Sequence, residues 1–238
     1  MRHRFDVALK VWGDIACFTR PEFKVERVTY PVITPSAARG ILEAIFWKPE
    51  FRWEIREIWV LNPIQQIVIM RNEVDSRQSA GTKVFVVEER RQQRSSLFLK
   101  EPSYLIFADL RLKQERDYSK KKYTEQFVRR AESGRCFHQP YLGTRECTAF
   151  FSLPAGDEKP IAATMNLGNM LFDIAYCQNS ERRNMSFFRH EGKEQKVAYG
   201  FAQPLFFQPI LENGVIKIPW EKYEELYRLE GIYVKGIS

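Results

Sequence analysis

The chain has 238 residues, of which 44% are hydrophobic and 28% are charged, a balance typical of a folded globular protein and not of a disordered one. A chain of this length can bury about 70% of the surface that its unfolded form exposes, so it needs no disulfide or metal to fold. The 37 Lys and Arg residues against 30 Asp and Glu residues give a net charge of +7. The whole excess falls between Arg77 and Arg135, where 15 basic residues stand against 8 acidic ones. A localised excess of this kind predicts a surface that binds a polyanion, with an exposed basic face that has no partner as the alternative.

Several function classes are excluded by missing motifs. The sequence has no H-E-x-x-H, G-x-S-x-G, Walker or G-x-G-x-x-G motif, and its four cysteines lack the spacing of a metal knuckle. We therefore expect no cofactor and no metal, and we expect the cysteines to be small buried residues in a reducing compartment. Asp6 and Lys10 interrupt the stretch where a secretory signal needs an apolar run. No segment approaches the ~18 apolar residues of a membrane span, so we expect a cytoplasmic protein without membrane contact.

The first 112 residues predict one helix among several strands. Alternating apolar residues from Phe5 to Val11 indicate a first strand, and further strands are predicted over 51–61, 64–74 and 104–112. Thr34 and Pro35 suit the N-cap and the first position of a helix that Pro49 ends. The segments 83–88 and 97–99 are predicted as hairpin arms around an exposed basic turn over 88–94. This order of elements favours an α+β, ferredoxin-like fold.

The second half opens with a predicted helix whose first turn is unusually basic. Ser119 suits its N-cap, Gly134 suits its C-cap, and Tyr123, Phe127 and Ala131 form its apolar stripe. Three lysines (Lys120, Lys121 and Lys122) occupy the first turn, where the helix dipole disfavours cations, and such a local conflict is typical of a functional site. Beyond it we predict strands over 148–153, 170–175 and 197–201, a loop over 178–196 and a closing helix over 219–229.

Three stretches together carry a family resemblance: ARGILEAIFWKP at 38–49, LNPIQ at 61–65 and CFHQPYLGTREC at 136–147. They resemble the Cas-five family of CRISPR-associated proteins in its subtype I-C (Dvulg) form, over most of the chain and in order. The resemblance implies a ferredoxin-like (RNA-recognition-like) N-terminal domain, residues 1–115. A smaller C-terminal region with a helix and an antiparallel β-sheet is implied for residues 116–238.

The same resemblance implies a metal-independent endoribonuclease that cleaves precursor CRISPR RNA at the base of the repeat hairpin. The ribose 2′-OH would attack the adjacent phosphate and leave a 2′,3′-cyclic phosphate. The protein would then stay bound to the 5′ handle with the other subunits of the type I-C interference complex, and double-stranded DNA stays open as a further partner. Two alternatives remain, a non-catalytic handle-binding subunit and a DNA-binding or metal-dependent DNA-cleaving protein.

The resemblance also implies catalytic positions. Its tyrosine falls on Phe46, and its Lys-His pair falls on Lys121 and Lys122, so only the first lysine matches. Both ammonium groups can stabilise the extra negative charge of a phosphorane, and one of the two lysines could instead act as the base. His138 is the other catalytic candidate, because imidazole titrates near neutrality. The alternatives are a structural role for His138 and RNA binding without chemistry for the lysines.

The remaining basic candidates are expected to bind the RNA backbone, with an exposed charge that has no partner as the alternative for each. They are Arg90, Arg91 and Arg94 in the predicted turn, Lys120, Arg129 and Arg130 on the predicted helix, and Lys48 and Arg145 within the resembling stretches. The aromatic residues Phe46, Trp47 and Tyr123 are expected to pack in the core, with base stacking as the alternative for the first two and a catalytic role as the alternative for Tyr123.

Overall fold

The structure, a computed structural model, describes residues 4–23, 26–74, 86–113, 120–191 and 194–232. The predicted Ser119 cap, the first half of the predicted arm over 83–88 and the domain boundary at 115/116 lie outside the described residues. The helices are α1 (Pro35–Ile45), α2 (Lys120–Glu132) and α3 (Trp220–Glu230), with a 3-10 turn at Val87–Arg90. The strands are β1 (Val7–Trp12), β2 (Ile15–Ala16), β3 (Arg27–Val28), β4 (Phe51–Val60), β5 (Gln65–Val74), β6 (Arg91–Lys100), β7 (Ser103–Leu112), β8 (Phe150–Ser152), β9 (Met165–Asn166), β10 (Met170–Gln178), β11 (Met185–Glu191), β12 (Glu194–Phe207), β13 (Ile210–Leu211) and β14 (Val215–Lys217).

The central sheet confirms the predicted α+β, ferredoxin-like fold. Its order is β14-β4-β7-β1-β8, and all neighbouring strands are antiparallel. Strands β1 and β4 therefore run parallel with β7 between them and are joined through α1, while α2 lies between β7 and β8 in the chain. This split β-α-β arrangement is the ferredoxin-like topology. Strands β8 and β14 come from the second half of the chain, so both halves build this sheet, and the predicted domain boundary stays a prediction.

Helix α1 forms where the sequence predicts it. The Thr34 hydroxyl accepts a hydrogen bond from the Ala37 amide at 3.2 Å, and Pro35 takes the first helical position. The apolar positions of one face, among them Ile41 and Leu42, are buried against the sheet. The helix ends at Ile45, and the next residue, Phe46, is extended, with its amide donating to the Leu42 carbonyl at 2.9 Å.

Helix α2 buries the predicted stripe of Tyr123, Phe127 and Ala131. Its C-terminus is closed by Gly134, which has a φ of +64°. The Gly134 amide donates to the Ala131 carbonyl, and the next amide, that of Arg135, donates back to Arg130 at 2.9 Å. This pair of bonds is the Schellman arrangement that favours glycine at this position.

The predicted hairpin around an exposed turn over 88–94 is wrong. Strand β6 already begins at Arg91 and pairs with β5 over its whole length, from Gln65 opposite Lys100 to Val74 opposite Arg91. Arg91 and Arg94 therefore lie on a strand, and Arg90 ends the 3-10 turn. The sequence shows no apolar alternation here because this end of the β5–β6 pair is exposed to solvent.

The predicted loop over 178–196 is also wrong. Strand β10 continues to Gln178, and the segment then forms β11 and the start of the long strand β12. The three strands make an antiparallel sheet in the order β10-β12-β11. Strand β11 lies at the sheet edge, where Ser186 and Phe188 are exposed and the other side chains of 185–190 are half-buried, so its sequence lacks the regular alternation of apolar and polar residues that predicts a strand.

Helix α3 packs between this second sheet and the central one, with contacts to β10 and to β4. The Tyr223 hydroxyl accepts from the Ile55 amide at 2.6 Å, and Tyr227 donates to the buried carboxylate of Glu54 at 2.6 Å. Burial raises the pKa of Glu54 and of both tyrosines.

No helix of the described residues is long and apolar enough to cross a membrane.

The cysteines are free thiols, as expected. Cys17, Cys147 and Cys177 are buried, and Cys136 is half-buried. Burial raises the pKa of the three buried thiols, which disfavours their reactive thiolate form.

Candidate nucleic-acid interface

A cleft of about 1460 Å³ lies between helices α1 and α2 and the segment over 137–145. Its lining brings together four of the predicted site residues, namely Lys48, Arg130, His138 and Arg145. Three parts of the chain that are distant in sequence therefore meet at one site. A cleft with three cationic side chains is suited to binding phosphates.

Helix α1 supplies a wall of small side chains. Ser36, Ala37, Gly40 and Ala44 line the cleft, and a Cβ added at Gly40 would meet nothing within 4 Å. Two larger residues of α1 also line the cleft, namely Ile41, which is buried, and Glu43, which pairs with Arg39 at 2.7 Å, while Ala38, Leu42 and Ile45 are buried in the core. Small side chains on this face leave room for a ligand to approach the helix backbone.

Arg130 links α2 to the end of α1. Its Nη1 donates to the Ile45 carbonyl at 2.7 Å, one of the carbonyls that a helix leaves unpaired at its C-terminus. Its guanidinium also lies 5.7 Å from the centre of the Phe46 ring. These two contacts fix the side chain at the edge of the cleft, where its remaining N–H groups can face a phosphate.

The segment after α2 is attached to the last turn of α1. The amides of Phe137 and His138 both donate to the Ala44 carbonyl, at 2.7 and 3.3 Å. The Phe137 ring is 75% exposed and lies edge-on to the His138 ring, with their centres 4.4 Å apart. The backbone bonds therefore place an imidazole and an exposed aromatic ring at the cleft without burying either.

Gly143 and Glu146 fix the loop that carries Arg145. Gly143 has a φ of +90°, and a Cβ there would lie 2.0 Å from the Cys17 carbonyl oxygen, so the close approach requires glycine. Glu146 accepts a hydrogen bond from Arg27 at 3.0 Å and forms an ion pair with Arg71, whose Nη1 lies 3.0 Å from the same carboxylate oxygen. Burial alone would raise the pKa of Glu146, but its backbone hydrogen bond and the two guanidinium groups outweigh this and lower it.

The structure separates the three catalytic candidates. His138 lines the cleft, whereas neither Lys121 nor Lys122 does. The Lys121 side chain is 81% exposed and lies 3.8 Å from Glu125. Lys122 precedes Gln126, a cleft residue, by four positions and shares its helix face, while Lys121 is turned away by about 140° at 3.6 residues per turn. Lys122 is therefore the lysine on the cleft side of α2.

The remaining RNA-binding candidates lie elsewhere on the surface. Lys120 pairs with Asp6 at 2.6 Å, and Arg129 is exposed on α2 outside the cleft lining. On the β5–β6 sheet, Arg91 lies 3.4 Å from Glu88 and Arg94 lies 3.6 Å from Glu73, while Arg90 is exposed beside them. Arg90, Arg91 and Arg94 form a second basic region. It borders the loop that carries Arg145, because Arg71 on β5 contacts Glu146.

Sequence reasoning missed part of the aromatic lining of the cleft. Phe46 and Tyr123 are buried as predicted, but the core prediction for Trp47 is wrong, since 40% of its surface is exposed. Phe137 and Tyr141 also line the cleft with exposed rings. The available signal was the density of aromatic and polar residues directly after α2.

Among the described residues, no three His, Cys, Asp or Glu side chains lie close enough together to hold a metal ion.

Comparison with known proteins identifies the family. The Cas5d model, described as CRISPR-associated protein (Cas_Cas5), matches residues 6–219. The chain belongs to the Cas5d family of CRISPR-associated proteins. A relative from Thermus thermophilus is 51% identical over 228 residues, which cover 96% of this chain and 97% of the relative. A second, from Mannheimia succiniciproducens, is 40% identical over 93% of this chain and 98% of its own length. Each of the two is named CRISPR pre-crRNA endoribonuclease Cas5d.

Solved structures share the fold. A crystal structure titled CRISPR-associated protein aligns with a TM-score of 0.61 at 21% identity, covering 91% of this chain and 92% of that one. A functionally uncharacterized protein from Streptococcus mutans aligns with the same TM-score and identity, over 91% and 93% of the two chains. At this level of identity the likeness concerns the arrangement of strands and helices.

Proposed function

We propose that this protein is a metal-independent endoribonuclease that cleaves precursor CRISPR RNA at the repeat hairpin. The observation that carries the proposal is the cleft in which His138 lies with Lys48, Arg130 and Arg145. Membership of the Cas5d family supports it, as do the two relatives named pre-crRNA endoribonuclease. The product stays bound by its 5′ handle, and the protein acts as a subunit of a type I-C interference complex.

The proposed reaction needs one proton acceptor and several cations. The ribose 2′-oxygen attacks the adjacent phosphorus, the bond from phosphorus to the 5′-oxygen breaks, and the products are a 2′,3′-cyclic phosphate and a 5′-hydroxyl. His138 takes the 2′-OH proton, and the leaving 5′-oxygen receives a proton from water or from the protonated imidazole. Arg130 and Lys122 stabilise the additional negative charge of the phosphorane. Phe46 supplies no hydroxyl, and its buried ring instead supports the guanidinium of Arg130.

The cleft separates binding from chemistry. Lys48 and Arg145 lie at its rim and bind the phosphates on either side of the cut, while Trp47, Phe137 and Tyr141 offer exposed rings on which unpaired bases can stack. Lys120, Lys121, Arg129 and the β5–β6 arginines (Arg90, Arg91 and Arg94) contribute attraction at longer range. Binding of double-stranded DNA stays a prediction.

A cleavage assay on a repeat hairpin in EDTA tests the proposal. We expect wild-type protein to cut at one site and to leave a cyclic phosphate. Treatment with acid, or with a phosphatase that removes cyclic phosphates, changes the end of such a product and so shifts its mobility on a gel. His138→Gln should lower the single-turnover rate by about 100-fold or more, the usual contribution of general-base catalysis. Lys122→Ala should lower it by about 100-fold through lost charge stabilisation, whereas Lys121→Ala should change it by less than about threefold.

Lys159→Ala is the matched control, since Lys159 is an exposed lysine outside the cleft lining and its loss should leave the rate unchanged. Tight binding of the hairpin without any cut product would contradict cleavage and indicate a handle-binding subunit. Cutting that requires a divalent metal and occurs on DNA would contradict the proposal altogether. A larger loss for Lys121→Ala than for Lys122→Ala would reverse the assignment of the lysines.

A further inference from the structure

The β10-β12-β11 sheet exposes aromatic and apolar side chains on one of its faces. Phe188 on β11 is directly opposite Val197 on β12, and Tyr199 lies two residues further along the same strand. Residues opposite one another, and residues two apart, share a face. Phe188, Val197 and Tyr199 are 66, 55 and 52% exposed, so this group, which we call the β11–β12 aromatic face, is open to solvent.

Arginines cover the same face at its other end. The guanidinium of Arg183 lies 5.7 Å from the centre of the Tyr199 ring, and that of Arg182 lies 4.3 Å from the centre of the Phe201 ring. On the described part of β12, Glu194 and Lys196 alternate with Val197 and Tyr199 and therefore fall on the opposite face. The β11–β12 aromatic face thus combines exposed rings with positive charge.

The β11–β12 aromatic face continues the cleft. The ring of His190, which shares this face with Phe188, lies edge-on to the ring of Trp47 at 5.3 Å between centres. Trp47 lines the cleft and is itself 40% exposed. A line of aromatic rings therefore leads from the cleft over Trp47 and His190 onto the second sheet.

We propose that the β11–β12 aromatic face binds unpaired RNA nucleotides that leave the cleft, by stacking their bases on Phe188 and Tyr199 with Arg183. The identity of the ligand rests on the proposed function of the cleft. Unpaired bases expose the flat surfaces that aromatic rings and guanidinium groups stack against, whereas an A-form duplex hides them. The arginines on this face favour a polyanion over an apolar protein surface as its occupant.

Two RNAs and one double variant test the inference. The first RNA is the blunt repeat hairpin. The second is the same hairpin with an unpaired extension, made in two forms that carry the extension at the 5′ end or at the 3′ end. Fluorescence anisotropy gives Kd at several salt concentrations, with cleavage-blocked RNAs that carry a 2′-deoxy sugar at the cut. We expect Phe188→Ala/Tyr199→Ala to bind one of the extended RNAs about 5- to 100-fold more weakly, the range expected for lost base stacking.

The same variant should bind the blunt hairpin as wild type does. Its salt dependence should also be unchanged, because no charge is removed, whereas Arg183→Gln removes one cation that faces the polyanion and should reduce the salt slope by about one unit. Phe150→Ala is the matched control, since Phe150 is 48% exposed on β8 and stacks on Trp12 away from this sheet. The single variant Phe188→Tyr keeps a stacking ring and should bind the extended RNA as wild type does.

Equal affinity of the wild type and the double variant for both extended RNAs would overturn the inference. Unchanged RNA affinity together with lost assembly with another protein subunit would also overturn it and assign the face to a protein contact. Cleavage of the blunt hairpin is measured in parallel and reports on the cleft alone. If wild-type protein failed to cut but the double variant still lost affinity for the extended RNA, the proposed cleavage would fail while the stacking face would stand.

Discussion

Replacing Asp173 with Asn should loosen the contact between helix α1 and the second sheet. Arg39 on α1 donates to both carboxylate oxygens of Asp173, at 2.8 and 2.9 Å, and to Glu43 at 2.7 Å. The Asp173 side chain is 6% exposed and that of Arg39 is 22% exposed. Breaking a buried pair costs about 3–5 kcal/mol because one charge is left uncompensated. Since Arg39 keeps Glu43 and some contact with water, we expect the lower end, about 3 kcal/mol.

For a domain of this size, a loss of about 3 kcal/mol lowers the Tm by about 6 to 12 °C, which a thermal unfolding curve followed by circular dichroism measures directly. Arg39→Met/Asp173→Leu removes both charges and should recover most of the loss, because a buried pair can be replaced by apolar residues at little cost. Glu125→Gln, which breaks the exposed pair with Lys121, is the control and should shift the Tm by less than about 2 °C. A Tm for Asp173→Asn within about 2 °C of wild type, or a double variant no more stable than the single one, would refute the reasoning.

Three further predictions concern single contacts. Glu146→Gln should lower stability by less than about 1 kcal/mol at pH 7, and because the folded state lowers the pKa of Glu146, this difference should fade as the pH falls below about 4, in denaturant titrations at each pH. Tyr227→Phe removes the donor to the buried Glu54 carboxylate and should cost about 1–3 kcal/mol by urea unfolding; no change would contradict a hydrogen bond there. Gly143→Ala should cost at least about 2 kcal/mol, because its Cβ would overlap the Cys17 carbonyl, and an unchanged Tm would contradict the left-handed conformation.

The parts of the fold that could be predicted are those in which local signals agree with tertiary packing. Helix α1 has a capping threonine, a proline at its first position and an apolar face that meets the sheet, and it forms with nearly the predicted bounds. Helix α2 likewise has its predicted stripe and its glycine cap. Strand β1 could be predicted because its alternate residues are buried, and strands β4 and β7 because most of their residues are apolar and most are buried. Such agreement across levels makes a sequence readable.

The elements that could not be predicted are strands whose own sequence has no periodic pattern and whose conformation depends on hydrogen bonds with a partner strand. Strand β6 begins with Arg91 and two glutamines, which carry no periodic signal, and it extends because β5 offers a backbone partner for every one of its residues. Strand β11 is an edge strand with both faces partly solvated, so its sequence resembles a loop. In both cases the hydrogen-bonded ladder, which is a property of two segments, determines the structure of a segment that is ambiguous alone.

The cleft shows why charge counted along the chain is a poor guide to where cations meet in the folded protein. The count places the whole excess between Arg77 and Arg135, yet several of these cations already have carboxylates beside them, as Lys120 has Asp6 and Lys121 has Glu125. Two of the three basic side chains in the cleft, Lys48 and Arg145, lie outside that segment. A cation attracts a phosphate when its charge is uncompensated and points into a shared space, and both conditions depend on tertiary contacts. The family stretches, which include both residues, therefore point to the cleft more directly than the charge count does, because a family pattern reflects which residues meet in the folded protein and a charge sum does not.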